Sequence, residues 1–255
     1  MYSPKEIWSL GDYKSRGRYF PPVSARLTKF VKLQADDSVL DIACGYGNTS
    51  ITARRIGAKV TGIDITPKLL ALAKQEEKIA GTSGIDWKEC DAEDLPFEDE
   101  SFDVVLSTFG HIFAPNQGLA GKEMVRVLKK GGRLGFASWP PELAVGKLSE
   151  VVSKNNTLSS EASSPYNWGM PERVKQLLPG IEDICFERET ISIPLLSPKH
   201  YWQDTITKAG FMIQVINSLE KDKIESFKKD YIKTLVSYIS DNALRLGYLI
   251  TIAKK

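Results

Sequence analysis

Cysteine is scarce in this chain. Its three copies, Cys44, Cys90 and Cys185, stand far apart with no Cys-x-x-Cys spacing, which argues against a disulfide framework and against a zinc site. An excess of charge of one sign is also lacking. The 34 Lys and Arg residues nearly balance 32 Asp and Glu, for a net charge of +2, and that argues against a broad nucleic-acid-binding surface. No apolar run is long enough to span a bilayer, and no basic-then-apolar leader is present. These absences lead us to expect a soluble, cytoplasmic protein. They also leave the Asn-x-Ser/Thr matches at Asn48 and Asn155 without weight as glycosylation sites. What is present is ordinary: 42% hydrophobic and 26% charged residues over 255 positions, ample for a large buried core.

From Val39 onward, short apolar segments alternate with helical patterns. Residues 38–43, 58–65, 85–91, 101–108 and 133–139 read as strands. Residues 48–56 read as a helix, Thr66 and Pro67 open another, and a third runs roughly from Asn116 to Lys130 and stops at Gly131. Such alternation implies an α/β fold with a parallel sheet and helices on both faces. After Trp139 the rhythm breaks. An excursion over 140–170 contains a helix near 142–154, 171–178 is helical, 184–193 alternates as a strand, 198–240 reads as helices, and 243–255 closes as a strand. The first 35 residues, with Trp8, Tyr13, Tyr19 and Phe20, read as helices before the sheet. We expect a single domain with three parts: a helical segment 1–35, a cofactor-binding half 36–139 and an acceptor-side half 140–255, with a helical insertion near 192–241.

The segment Val39-Leu-Asp-Ile-Ala-Cys-Gly-Tyr-Gly47 ends a buried strand on a carboxylate and follows it with a turn almost without side chains. In a doubly wound sheet, ligands bind beyond the carboxyl ends of the strands, where glycine lets backbone and ligand meet. Asp64 ends the second strand about twenty residues on, the interval at which an acid accepts hydrogen bonds from ribose hydroxyls. The third glycine of a dinucleotide fingerprint is missing, because Asn48, Thr49 and Ser50 follow Gly47. A diphosphate would also share the turn with Asp41. A cofactor carrying an ammonium or sulfonium is favoured instead. Asp91, leaving the third strand, could accept from an adenine amino group, while the Ala92 N–H could donate to the ring.

With these residues in place, Val39–Trp139 resembles a class I S-adenosylmethionine-dependent methyltransferase, of the branch that includes the ubiquinone/menaquinone biosynthesis methyltransferases. Asp41-Ile-Ala-Cys-Gly-Tyr-Gly47 matches the first motif, with Ala43 in place of its first glycine. Asp64 matches the acid of the second strand, Asp91-Ala92 the pair after the third, and Phe102–Phe113 the segment after which the methyl group is presented. The resemblance implies a Rossmann-like seven-stranded sheet of order 3-2-1-4-5-7-6 with strand 7 antiparallel. It implies S-adenosylmethionine as cofactor, held by Asp41, Ala43, Gly45, Gly47, Asn48, Asp64, Ile65, Asp91, Ala92 and Ser107, and transfer of its methyl to a small-molecule acceptor. The Asn/Asp-Pro-Pro-Tyr of amide methyltransferases is absent after strand four, where Ser107-Thr-Phe-Gly110 stands.

No catalytic residue stands out. His111, one of two histidines, could be a general base near neutral pH or could simply pack. Tyr13, Tyr19, Trp139, Tyr166 and Trp168 could line a pocket, or belong to the core. His200, Trp202 and the Lys-rich run 221–233 read as structural, and Cys44 as a small filler behind the turn. Two rivals remain: a non-catalytic S-adenosylmethionine-binding protein, and a nicotinamide-dependent oxidoreductase, which the missing glycine disfavours. No metal is expected, and the sequence leaves the oligomeric state and the accepting atom open.

Overall fold

The structure, a computed structural model, describes residues 3–155 and 163–255; the part of the 140–170 excursion at 156–162 lies outside them. The alternating pattern becomes one sheet. β1 (Ser38–Ile42), β2 (Lys59–Asp64), β3 (Asp86–Glu89), β4 (Phe102–Thr108) and β5 (Leu128–Ser138) run parallel. β6 (Asp183–Pro194), β7 (Ile239–Ser240) and β8 (Ala243–Lys254) follow, and β8 lies antiparallel between β5 and β6. The order β3-β2-β1-β4-β5-β8-β6 is the expected one, with the long final strand in the place of strand 7. The short β7, paired to β8, is an addition that no sequence pattern announced.

α1 (Pro4–Leu10), α2 (Tyr13–Gly17) and α3 (Pro21–Phe30) precede the sheet. α4 (Asn48–Ile56), α5 (Pro67–Ile79) and α6 (Gln117–Val127) link its parallel strands. α7 (Ala144–Asn155) and α8 (Pro171–Leu177) lie between β5 and β6, while α9 (Pro198–Lys208), α10 (Gly210–Ser218) and α11 (Lys221–Val236) lie between β6 and β7. The core is the sheet's own: Val39, Leu40, Ile42, Val104, Val105, Leu106, Leu134 and Phe136 are fully buried, as the near-continuous apolar runs of a doubly covered sheet require. α3 lies directly on β5, where a Cβ on Gly135 would stand only 2.2 Å from Val31 Cγ1.

Two local expectations are corrected. The helix expected through Lys130 stops at Val127, and Leu128 already pairs with Phe102 in the sheet. Gly131, at φ 74°, donates its N–H to the Lys255 carbonyl at 2.7 Å and sits in the strand, not at a helix end; cross-strand bonding here overrides a sequence that reads as helical. Thr66 precedes α5, but its side chain makes no capping bond and its Oγ1 is buried without a partner among the described residues. The Lys-rich run does form a solvated face: α11 buries Phe227, Tyr231 and Leu235, one residue per turn, against Trp202, whose ring centroid lies 5.1 Å from that of Phe227.

Candidate active site

The carboxyl ends of β1, β2 and β4 form the site. Asp41 is 1% exposed. Its Oδ2 accepts a 2.6 Å hydrogen bond from Ser50 Oγ, while Oδ1 has no partner among the described residues. Burial pushes the carboxyl up to about 7, and the nearby charge of Asp64 adds to the shift. The turn beyond it bends through the left-handed region three times, at Ala43 (φ 52°), Gly45 (φ 58°) and Gly47 (φ 96°). Glycine is at ease there; Ala43 bears about 1–2 kcal/mol of steric strain. A Cβ on Gly45 would meet nothing within 4 Å, so that face of the turn is open to a ligand.

Asp64 ties the turn to β2. Its Oδ2 accepts from the Gly45 N–H and its Oδ1 from the Thr66 N–H, both at 2.9 Å. Burial raises its pKa. Each oxygen keeps a further lone pair. Ile65 follows, half-buried. Asp91 is exposed and accepts from Glu93 N at 2.9 Å, with Ala92 half-buried beside it. Arg126 fixes this loop by donating to the Phe97 carbonyl (2.7 Å), the Leu95 carbonyl (2.9 Å) and Asp99 Oδ1 (2.9 Å). Cys44, expected as filler, is half-buried in the turn itself, and burial pushes its thiol up.

Three sequence-derived assignments meet a different geometry. Ser107 is fully buried, and its hydroxyl donates to the Ile42 carbonyl at 2.7 Å and accepts from His111 N at 3.3 Å. It stitches β4 to β1. The neighbouring Thr108 is only half-buried, and its Oγ1 lies 2.8 Å from Thr49 Oγ1, itself 2.8 Å from Ser24 Oγ. This hydroxyl chain went unread because strand and helix periods rank Ser and Thr as neither core nor surface. Asn48 turns its amide to α2, donating to the Gly17 carbonyl at 3.0 Å. His111 is 1% exposed between Phe136 and Trp168, with ring centroids 4.7 and 4.8 Å away. Neither ring nitrogen has a partner among the described residues, and burial lowers its pKa to about 3. That is a packed, neutral ring instead of the base poised near pH 7.

The N-terminal helices lie across these strand ends. Trp8 packs on Phe113 at 4.6 Å and on Tyr13 at 5.5 Å. Lys68 Nζ donates to the Ser9 carbonyl at 2.7 Å, and Lys14 pairs with Glu76 at 2.6 Å. On the other side the Tyr13 hydroxyl accepts from Gly210 N at 3.0 Å, and Asp12 N donates to the Lys208 carbonyl at 2.9 Å. The same segment therefore joins the glycine turn and α5 to α9 and α10. Of the other aromatics, Trp139 stacks on Phe109 at 3.8 Å, Phe20 lies 5.4 Å from Phe109, and Trp168 is core.

Residues 40–136 match the family described as a methyltransferase domain. Over 257 aligned residues the chain is 31% identical to an uncharacterized protein of Mycobacterium tuberculosis (strain ATCC 25618 / H37Rv), covering 98% of this chain and 93% of that one. It is 37% identical over 109 residues to the demethylmenaquinone methyltransferase of Clavibacter sepedonicus, 42% of this chain and 43% of the relative. In three dimensions it resembles phosphoethanolamine N-methyltransferase 2 of Haemonchus contortus in complex with phosphomonomethylethanolamine and S-adenosylhomocysteine. That match has a TM-score of 0.64 and 17% identity, covering all of this chain and 60% of the other. The open glycine turn and the unpartnered Asp41 oxygen suit a nucleoside cofactor with a cationic end. Residues 40–136 are a methyltransferase domain, and the chain is an S-adenosylmethionine-dependent methyltransferase.

Proposed function

We propose that this methyltransferase acts on a small molecule held at the strand ends beneath the N-terminal helices and the α9–α10 pair. The observation that supports this reading is the cover over the strand ends. Trp8 on Phe113, Tyr13 on Gly210 and Asn48 on Gly17 leave the described site a roof on two sides, which favours a small acceptor over a folded protein or a nucleic acid. The demethylmenaquinone methyltransferase among its relatives is in keeping with a small-molecule acceptor. Residues 36–139 would form the cofactor half and 140–255 the acceptor half, in a single domain.

S-adenosylmethionine supplies, when bound, an activated methyl group on a positively charged sulfur. Asp64 would hold the ribose through its remaining lone pairs, and Asp41 would balance the cationic end. The open side of Gly45, with Ala43 and Gly47, admits the cofactor against the backbone, and Ile65, Asp91 and Ala92 would bracket the adenine. What these residues contribute is alignment in a site emptied of water. A screen of small-molecule, peptide and nucleic-acid fractions with methyl-labelled cofactor tests the reading. Label recovered only in macromolecules would overturn it.

A further inference from the structure

Arg16, on α2, carries its guanidinium into the seam between the N-terminal helices and the helices at 198–236. Nη1 donates to Thr205 Oγ1 at 3.2 Å, and the Tyr201 ring centroid is 5.8 Å from the guanidinium carbon. Tyr231, 4% exposed, stands in the same seam, close enough to act on the Arg16 charge. Among the described residues Arg16 makes one ion pair, with Asp204 Oδ2 at 4.0 Å, and Asp204 Oδ1 is already engaged by Lys208. A guanidinium has five N–H donors in a planar fork. The Thr205 bond and a weaker one to the Tyr201 hydroxyl engage part of that fork, and a charge withdrawn from water without a close anion is costly. The side chain nevertheless keeps 23% of its surface exposed, so a solute can reach it.

Its position along the chain ties this fork to the methyl-transfer side. Gly17, the next residue, packs on Tyr46 of the glycine turn, and Phe20 lies against Phe109 and Trp139 beyond β4 and β5. We propose that Arg16, flanked by Thr205 and Tyr201, binds an anionic group, carboxylate or phosphate, on the methyl acceptor. The inference rests on the small-molecule reading above. The bidentate geometry of guanidinium suits both oxyanions, which a lysine in this place would meet only as a point charge.

The test has two parts, both on the full chain. The first needs no ligand. If Arg16 awaits an anion, Arg16→Met keeps the packing and removes an under-paired charge, so the thermal midpoint of the unliganded protein stays or rises. A fall of about 4 °C or more makes Arg16 a strut between helices and overturns the proposal. The second measures binding of benzoate, phenyl phosphate and neutral benzyl alcohol by calorimetry to protein saturated with S-adenosylhomocysteine. At least one anion is expected to bind about tenfold or more tighter than the alcohol, and Arg16→Met to abolish that preference. Preference for benzoate assigns a carboxylate, for phenyl phosphate a phosphate. No binding of any probe, equal binding of all three, or a preference unchanged in the variant overturns the proposal. The two readings separate cleanly: a methylated product that carries no anionic group removes this inference and leaves the small-molecule function standing. An Arg16-dependent anion site without any small-molecule product supports the site and sinks that function.

Discussion

Asp41→Asn removes the carboxyl that the fold buries with one oxygen unpartnered, and its consequences can be worked out with their signs. In the folded, ligand-free protein burial holds this carboxyl at about 7, against an ordinary value of 3.8. Between those two values the folded state keeps a proton that the unfolded chain releases. The contribution to stability is therefore complete below 3.8 and lost as pH rises to about 7, a total of roughly 4 kcal/mol. Cofactor binding has the opposite sign, because a cationic end favours the carboxylate. About a tenth of Asp41 is ionised at pH 6 and about nine tenths at pH 8, so the Kd of S-adenosylhomocysteine should fall about tenfold between them. Calorimetry at both pH values, in two buffers of different ionisation enthalpy, reads the affinity and the proton released. Asp41→Asn is expected to bind more weakly, to lose the pH dependence, and to be more stable than the parent at pH 8 without ligand. A wild-type Kd equal at pH 6 and pH 8, with no proton released, refutes the reasoning.

Asp64→Ala should weaken S-adenosylhomocysteine binding by about 1–3 kcal/mol, measured by calorimetry; it also frees the Gly45 and Thr66 N–H groups, and an unchanged Kd would count against the ribose assignment. Gly45→Val should fold, since its Cβ meets nothing within 4 Å, with a strain of about 1–2 kcal/mol at positive φ, and should lose cofactor binding; normal binding by a folded variant contradicts the turn reading. His111, neutral in the fold, makes stability fall by about 1.4 kcal/mol per pH unit below 6.5, down to its folded value of about 3. Asp41 contributes a slope of opposite sign over this range, so His111→Leu should gain about 2 kcal/mol on the parent between pH 6.5 and 5 in urea titrations; a difference between variant and parent that is the same at both pH values rejects the assignment. Residues 8–20 should gain hydrogen-exchange protection when S-adenosylhomocysteine binds, because they bridge the glycine turn and α9–α10; equal protection in both states means a permanent roof.

The strands and the turn were legible because their signals are local. Alternation of apolar segments with amphipathic helices is a period along the chain, and Asp41, Gly45, Gly47 and Asp64 lie at fixed offsets from strand ends. What misled was also local. The basic residues and Gly131 imitate a helix terminus, yet Lys129–Gly131 is strand because its backbone finds partners across the sheet. Ser107 and Asn48 lie inside a cofactor motif, and only the packing of β4 on β1 and of α2 on α4 shows their side chains engaged elsewhere. His111 reads as a base by residue type. Its neighbours Phe136 and Trp168, 25 and 57 positions away by their numbers, make it a buried neutral ring.

The sequence by itself determined the sheet, the cofactor turn and the acid at the end of β2, since each depends on periodicity and on conformations that neighbouring residues dictate. Only the tertiary structure decided the protonation of Asp41, the setting of His111 and the place of Arg16 beside Thr205 and Asp204. These are matters of desolvation and of charge pairing between segments almost two hundred positions apart, and such energies exist only once the folded chain has excluded water between them.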